Sequence, residues 1–145
     1  MQNFDRHEYA KLKDFFSFYV QMRMEASPSE KPPRALGNVE ALEKKSPRMA
    51  FQGLRQAIND CIEESWHFDP AKVANLDAEL INRGIITLSE LRRRYSSGYA
   101  KILKRGRITN DTEFYLIQNI INDPAEKSPE EHELLAKLLS DYEGV

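Results

Sequence analysis

Few residues in this 145-residue chain offer a handle for covalent, metal or redox chemistry. It has one cysteine, Cys61, so no internal disulfide can form and no C-x-x-C pair exists. There is no P-loop, no G-x-G-x-x-G after a strand and no G-x-S-x-G around a serine. No run of about 18 apolar residues occurs, so nothing is expected to span a membrane. The N-terminal residues Asp5, Arg6, Glu8, Lys11, Lys13 and Asp14 interrupt any apolar core of a secretory signal, and a cytoplasmic location is expected. Alternation with period two is missing too; Ile85-Ile86 is too short for a strand. No internal repeat or low-complexity segment is present.

What remains is helical punctuation and helical spacing. The length is that of one domain, and 41% hydrophobic against 30% charged residues is a globular balance. The expected fold is all-α: a single compact domain of about six helices in an irregular bundle. Residues 1–26 form its N-terminal helix, 27–38 a proline-rich loop and 39–145 its helical core. Tyr9, Leu12, Phe15, Phe16, Tyr19 and Met22 recur at helical intervals, with Phe18 and Val20 off that stripe. A helix so apolar around its girth is either deeply packed or keeps a face for a partner. Ser27–Asn38 holds three prolines and a glycine, which predicts a loop. A helical turn is expected near Val39–Lys45. Ser46-Pro47 and Asp69-Pro70 then pair a capping side chain with proline at the first helical position.

Gly53, inside the second long helix, predicts close approach of a neighbour. Val73, Leu76, Leu80 and Ile81 are expected inward on the next helix, with Gly84 as its stop. Thr87-Leu-Ser-Glu90, Asn110-Asp-Thr-Glu113 and Ser128-Pro-Glu-Glu131 read as capping boxes opening three further helices. The first of these is expected to run unbroken to Gly106.

Charge is unevenly placed. Residues 88–109 carry seven basic side chains against Glu90, and residues 110–145 carry nine acidic ones against Lys127 and Lys137. The basic set is Arg92, Arg93, Arg94, Lys101, Lys104, Arg105 and Arg107, interleaved with Tyr95 and Tyr99, a pattern that suits phosphate contact and base stacking. The bland reading is that both tyrosines face inward, the basic residues form a solvated back, and the acidic third neutralises them within the fold.

Asp60, Glu63, Glu64 and His67 follow at i, i+3, i+4 and i+7. They offer one Glu-x-x-His element where a di-iron bundle needs two, and His7 and His132 sit in no matching pattern. Cys61 lies on an apolar stripe, as an inert core thiol does. Trp66-His67-Phe68 joins two helices, either plugging the core or anchoring a partner. No cofactor is implied.

The expectation drawn from this is a non-enzymatic protein–protein interaction module with an acidic surface at Glu130, Glu131 and Glu133, aided by Trp66 and Phe18. Such a chain fits an inhibitor of a basic toxin or nuclease, as immunity proteins and antitoxins are. The alternative is a nucleic-acid-binding regulator acting through the basic helix 88–107. A second alternative is a metalloprotein or enzyme with a site near Asp60, Glu64 and His67.

Overall fold

Short polar side chains that accept first-turn amide hydrogens set the helix boundaries. A computed structural model describes residues 6–26 and 41–144. Among these, every regular element is a helix: α1 (Arg6–Ala26), α2 (residues 41–45), α3 (Pro47–Ser65), α4 (Pro70–Asn82), α5 (Leu88–Tyr95), α6 (Ser97–Arg105), α7 (Asp111–Asn122) and α8 (Pro129–Glu143). Ser46, Asp69, Thr87, Ser96, Asn110 and Ser128 each accept from the amide three residues on. Gly106 and Gly144 end α6 and α8 at φ 80° and 77°, a conformation open to glycine at no steric cost. The proline-rich segment 27–38 and the start of the helical turn at Val39 lie outside the described residues.

The helix expected from Thr87 to Gly106 is two helices. Ser96 adopts an extended backbone (φ −76°, ψ 121°), and its hydroxyl accepts from the Tyr99 amide, so it closes α5 and caps α6. A serine in mid-pattern thus acts as punctuation.

Two compact units divide the chain, residues 1–63 and 64–145. In the first, Leu12, Phe15, Phe16, Tyr19 and Val20 of α1 are buried, as are Ala50, Phe51, Leu54, Ile58, Cys61 and Ile62 of α3. Phe18 is half-buried. The wide apolar girth of α1 is therefore spent inside the protein, and Val20, expected off the stripe, belongs to the core. The Tyr9 hydroxyl donates to Glu43 of α2, Lys13 Nζ pairs with Glu43 at 2.8 Å, and the Tyr9 ring stacks on Phe51. Hydrogen bonds from Lys13 and then Tyr9 hold the Glu43 carboxyl below its ordinary range. Gly53 does not answer to a close approach. A Cβ there would lie 3.8 Å from Leu42, an ordinary contact.

In the second unit, Val73, Leu76 and Leu80 of α4 and Leu88 and Leu91 of α5 are buried. A further cluster joins Tyr99, Ile102, Ile108, Leu116, Ile117, Ile120, Leu135 and Leu138, with Trp66 packed against it. Ile81 is not inward; it is 45% exposed. The inward place one turn after Val73 is taken instead by Asp77, which is buried.

Candidate functional site

A cleft of about 270 Å³ opens in the second unit. Trp66, His67 and Phe68, in the turn after α3, form one side, with Pro70 and Val73 at the start of α4. Asp111, Thr112, Tyr115, Leu116 and Asn119 of α7 form the other. Arg92 of α5 reaches into it.

Arg92 is 4% exposed, so the first member of the basic set does not belong to a solvated back. Its Nε donates to Ser65 Oγ (3.2 Å), and Nη2 donates to Ser65 O (2.7 Å) and Oγ (3.0 Å). Ser65 is the last residue of α3, where the helix dipole favours a cation, and its carbonyl also accepts from the Phe68 amide at 3.0 Å. Burial pulls the guanidinium pKa down to about 10, against the Asp77 charge, and it stays charged at neutral pH.

Beneath lies a polar layer that periodicity did not reveal. The Ser89 amide donates to Asp77 Oδ1 at 3.2 Å and its hydroxyl to Oδ2. Burial pushes the Asp77 pKa up to about 6, opposed by the Ser89 hydrogen bonds, with Asp123 adding like charge. Thr87 Oγ1 donates to Asp123 Oδ1 at 2.7 Å. The one signal available in the sequence was a carboxylate standing on the inward stripe of α4.

The other basic residues are largely committed within the unit. Arg93 Nε donates to Glu90 Oε1 (2.6 Å) and Nη1 to Glu131 Oε1 (2.9 Å), while the Tyr99 hydroxyl donates to Glu131 Oε2 (2.7 Å). Arg94 Nε donates to Glu90 Oε2 at 3.1 Å, and Arg105 pairs with Glu113. Burial tends to raise the Glu90 carboxyl, yet Arg93 and Arg94 hold it below its ordinary range. Burial and the bond to Glu131 push the Tyr99 hydroxyl up. Lys101, Lys104 and Arg107 are exposed and form no ion pair among the described residues. Seven basic residues thus leave three cations unpaired.

Glu131 is likewise an internal group and leaves the expected partner surface. Glu130 and Glu133 stay exposed, sharing a face of α8 with Lys137, Asp141 and Leu134, which is 37% exposed. Trp66 packs against the core cluster while lining the cleft, and half-buried Phe18 lies on α1 of the first unit.

Helix α3 stops at Ser65, so His67 sits in the following turn and leaves the helical face expected to carry Asp60, Glu63 and Glu64. Among the described residues, no group of three or more His, Cys, Asp or Glu could hold a metal ion. Nor is any described helix long and apolar enough to cross a membrane. Cys61 is buried.

No protein-family model, curated protein or solved structure matches the chain.

Proposed function

We propose that this chain is a non-enzymatic protein-interaction module that binds a basic protein partner through the outer face of α8. The finer reading is an immunity- or antitoxin-like inhibitor of a basic toxin or nuclease in the cytoplasm. One observation carries it: Glu130, Glu133 and Asp141 line an exposed helical face beside Leu134 and form no ion pair among the described residues. At 100° per residue these positions share a single stripe. An apolar side chain rimmed by unpaired acids suits a desolvated contact steered by charge.

The basic residues support the nucleic-acid reading less, because Arg92, Arg93, Arg94 and Arg105 are bonded inside the second unit. With three of its cations unpaired, this segment would give a DNA affinity with a log–log salt slope of only about −3.

The test is affinity capture from the native host, comparing the wild-type chain with the Glu133→Lys, Asp141→Lys double variant. Both positions lie clear of the first turn of α8, so capping is undisturbed. The expected result is a basic protein held by the wild type and lost by the variant, most completely at low salt. Retention of the same partner by the variant refutes the acidic face. Tight nucleic-acid binding abolished by Lys101→Ala, Lys104→Ala and Arg107→Ala would replace this reading with the regulator.

A further inference from the structure

We propose that the cleft between the Trp66–Phe68 turn and α7 binds a small organic monocarboxylate with a flat apolar body, held by Arg92. This stands apart from the interaction face on α8.

Two nitrogens of Arg92 are fastened to Ser65, while Nη1 donates to nothing among the described residues. Among the described residues no fully buried side-chain nitrogen or oxygen lacks a partner, so Nη1 reaches open space, and the space beside Arg92 is the cleft. The guanidinium is thus nine-tenths buried, fixed in orientation and still able to give one charge-assisted hydrogen bond. A cation already held in place loses little freedom when an anion arrives.

Around it the walls mix ring-bearing side chains with polar ones, His67, Thr112 and Asn119 among them. Trp66, Phe68 and Tyr115 offer aromatic surface, and Val73 and Leu116 floor the space. Lys72 Nζ lies 3.9 Å from the centre of the Phe68 ring, adding positive potential on that side. Asp111 stands across on α7, its carboxylate accepting from the Tyr142 hydroxyl at 2.6 Å. The Asp111 charge offsets part of the positive potential of Arg92 and Lys72, which favours a single negative charge over a phosphate dianion. The volume of about 270 Å³ falls just under that of drug-sized sites, enough for one ring and its carboxylate.

Trp66 is the only tryptophan in the chain, so its fluorescence reports occupancy of the full-length protein directly. The probes are phenylacetate, the uncharged 2-phenylethanol and inorganic phosphate. Phenylacetate is expected to give a saturable change at least ~10-fold tighter than either of the others, reflecting one charge-assisted bond and the ring's burial together. Tyr115→Ala should weaken phenylacetate by roughly 3–10-fold through loss of a wall, and Asp111→Asn should tighten it by roughly 2–5-fold through loss of like charge. Both positions are exposed, so these variants should fold where Arg92→Lys would loosen the end of α3. No saturable response to phenylacetate, an equal response to 2-phenylethanol, or unchanged affinity in both variants overturns the proposal. Equal or tighter binding of phosphate overturns the assignment of a monocarboxylate.

Discussion

Replacing Gly98 with alanine presses directly on Trp66, and the outcome can be worked from the structure. Gly98 is the second residue of α6, half-buried, and needs no unusual backbone angle. A Cβ there would lie 2.6 Å from Trp66 Cζ2, 3.0 Å from Cη2 and 3.4 Å from Ser96 Oγ. Carbon atoms prefer separations of about 3.5–4.0 Å, so the indole must retreat by roughly 1 Å. The atoms met belong to a rigid bicycle, which cannot swing one end aside, and the ring is packed against the Tyr99–Leu138 core cluster. Alanine is the better helix former by at most about 1 kcal/mol. Overpacking a filled site costs about 1–3 kcal/mol. The clash wins, and the variant should lose on the order of 1 kcal/mol or more.

Gly53→Ala provides the matched control. The same propensity gain applies, yet the nearest neighbour of the new Cβ is Leu42 at 3.8 Å, so this variant should gain about 0.5–1 kcal/mol. Urea unfolding followed by far-ultraviolet circular dichroism measures both without relying on the displaced indole. In a Trp66→Phe background the smaller ring should relieve most of the Gly98→Ala penalty, which a double-mutant cycle would report as coupling. If Gly98→Ala stabilises the protein as much as Gly53→Ala does, the seating of Trp66 on α6 is wrong, and the cleft wall with it.

Asp77 should make stability depend on pH with a definite sign. Its folded pKa is about 6 against an ordinary 3.8, so the folded state holds this proton more tightly than the unfolded chain. The contribution is fully present below about pH 4 and is lost as pH rises through about 6, on the order of 2–3 kcal/mol across the window. Relative to Asp77→Asn, the wild type should therefore fall in urea midpoint between about pH 4 and about pH 7.5; parallel midpoints for the two proteins would contradict this. Glu131→Gln should cost about 1–2 kcal/mol because it removes the second carboxylate partner of Arg93 and weakens the acceptor for Tyr99, whereas Glu133→Gln should stay within about 0.5 kcal/mol. Equal midpoints for these two variants would mean that the Arg93–Glu131 bond carries no net stability.

The parts of the fold legible from sequence are those decided locally. Each capping side chain read from the chain accepts the amide expected of it, because Ser, Thr, Asp and Asn reach only a few residues along their own backbone. Leu54, Ile58, Leu91, Ile102, Ile117 and Leu138, placed inward by spacing alone, are all buried. The glutamates of the capping boxes mark where local reasoning stops. Glu113 does turn back toward the start of its helix, accepting from the Thr109 amide at 2.9 Å. Glu90 and Glu131 instead turn to arginines, because Arg93 offers each a charge-assisted bond stronger than one to a backbone amide.

The same competition explains why the basic segment misleads as a surface. A run of three arginines distributes its members over about 200° of helix, so the three cannot share one environment. Arg92 falls on the inward side beside Leu88 and Leu91, where the Ser65 carbonyl and hydroxyl at the end of α3 accept from its guanidinium, bonds that an aliphatic residue could not make. Arg93 falls at the margin, within reach of α8, and Arg94 outside it. Counting charge along the chain gives all three equal weight, although only their angular position decides which is structural. It is the most buried of them, Arg92, that keeps a donor directed at an open cleft, and so the residue least legible as a site from sequence is the one on which the proposed ligand depends.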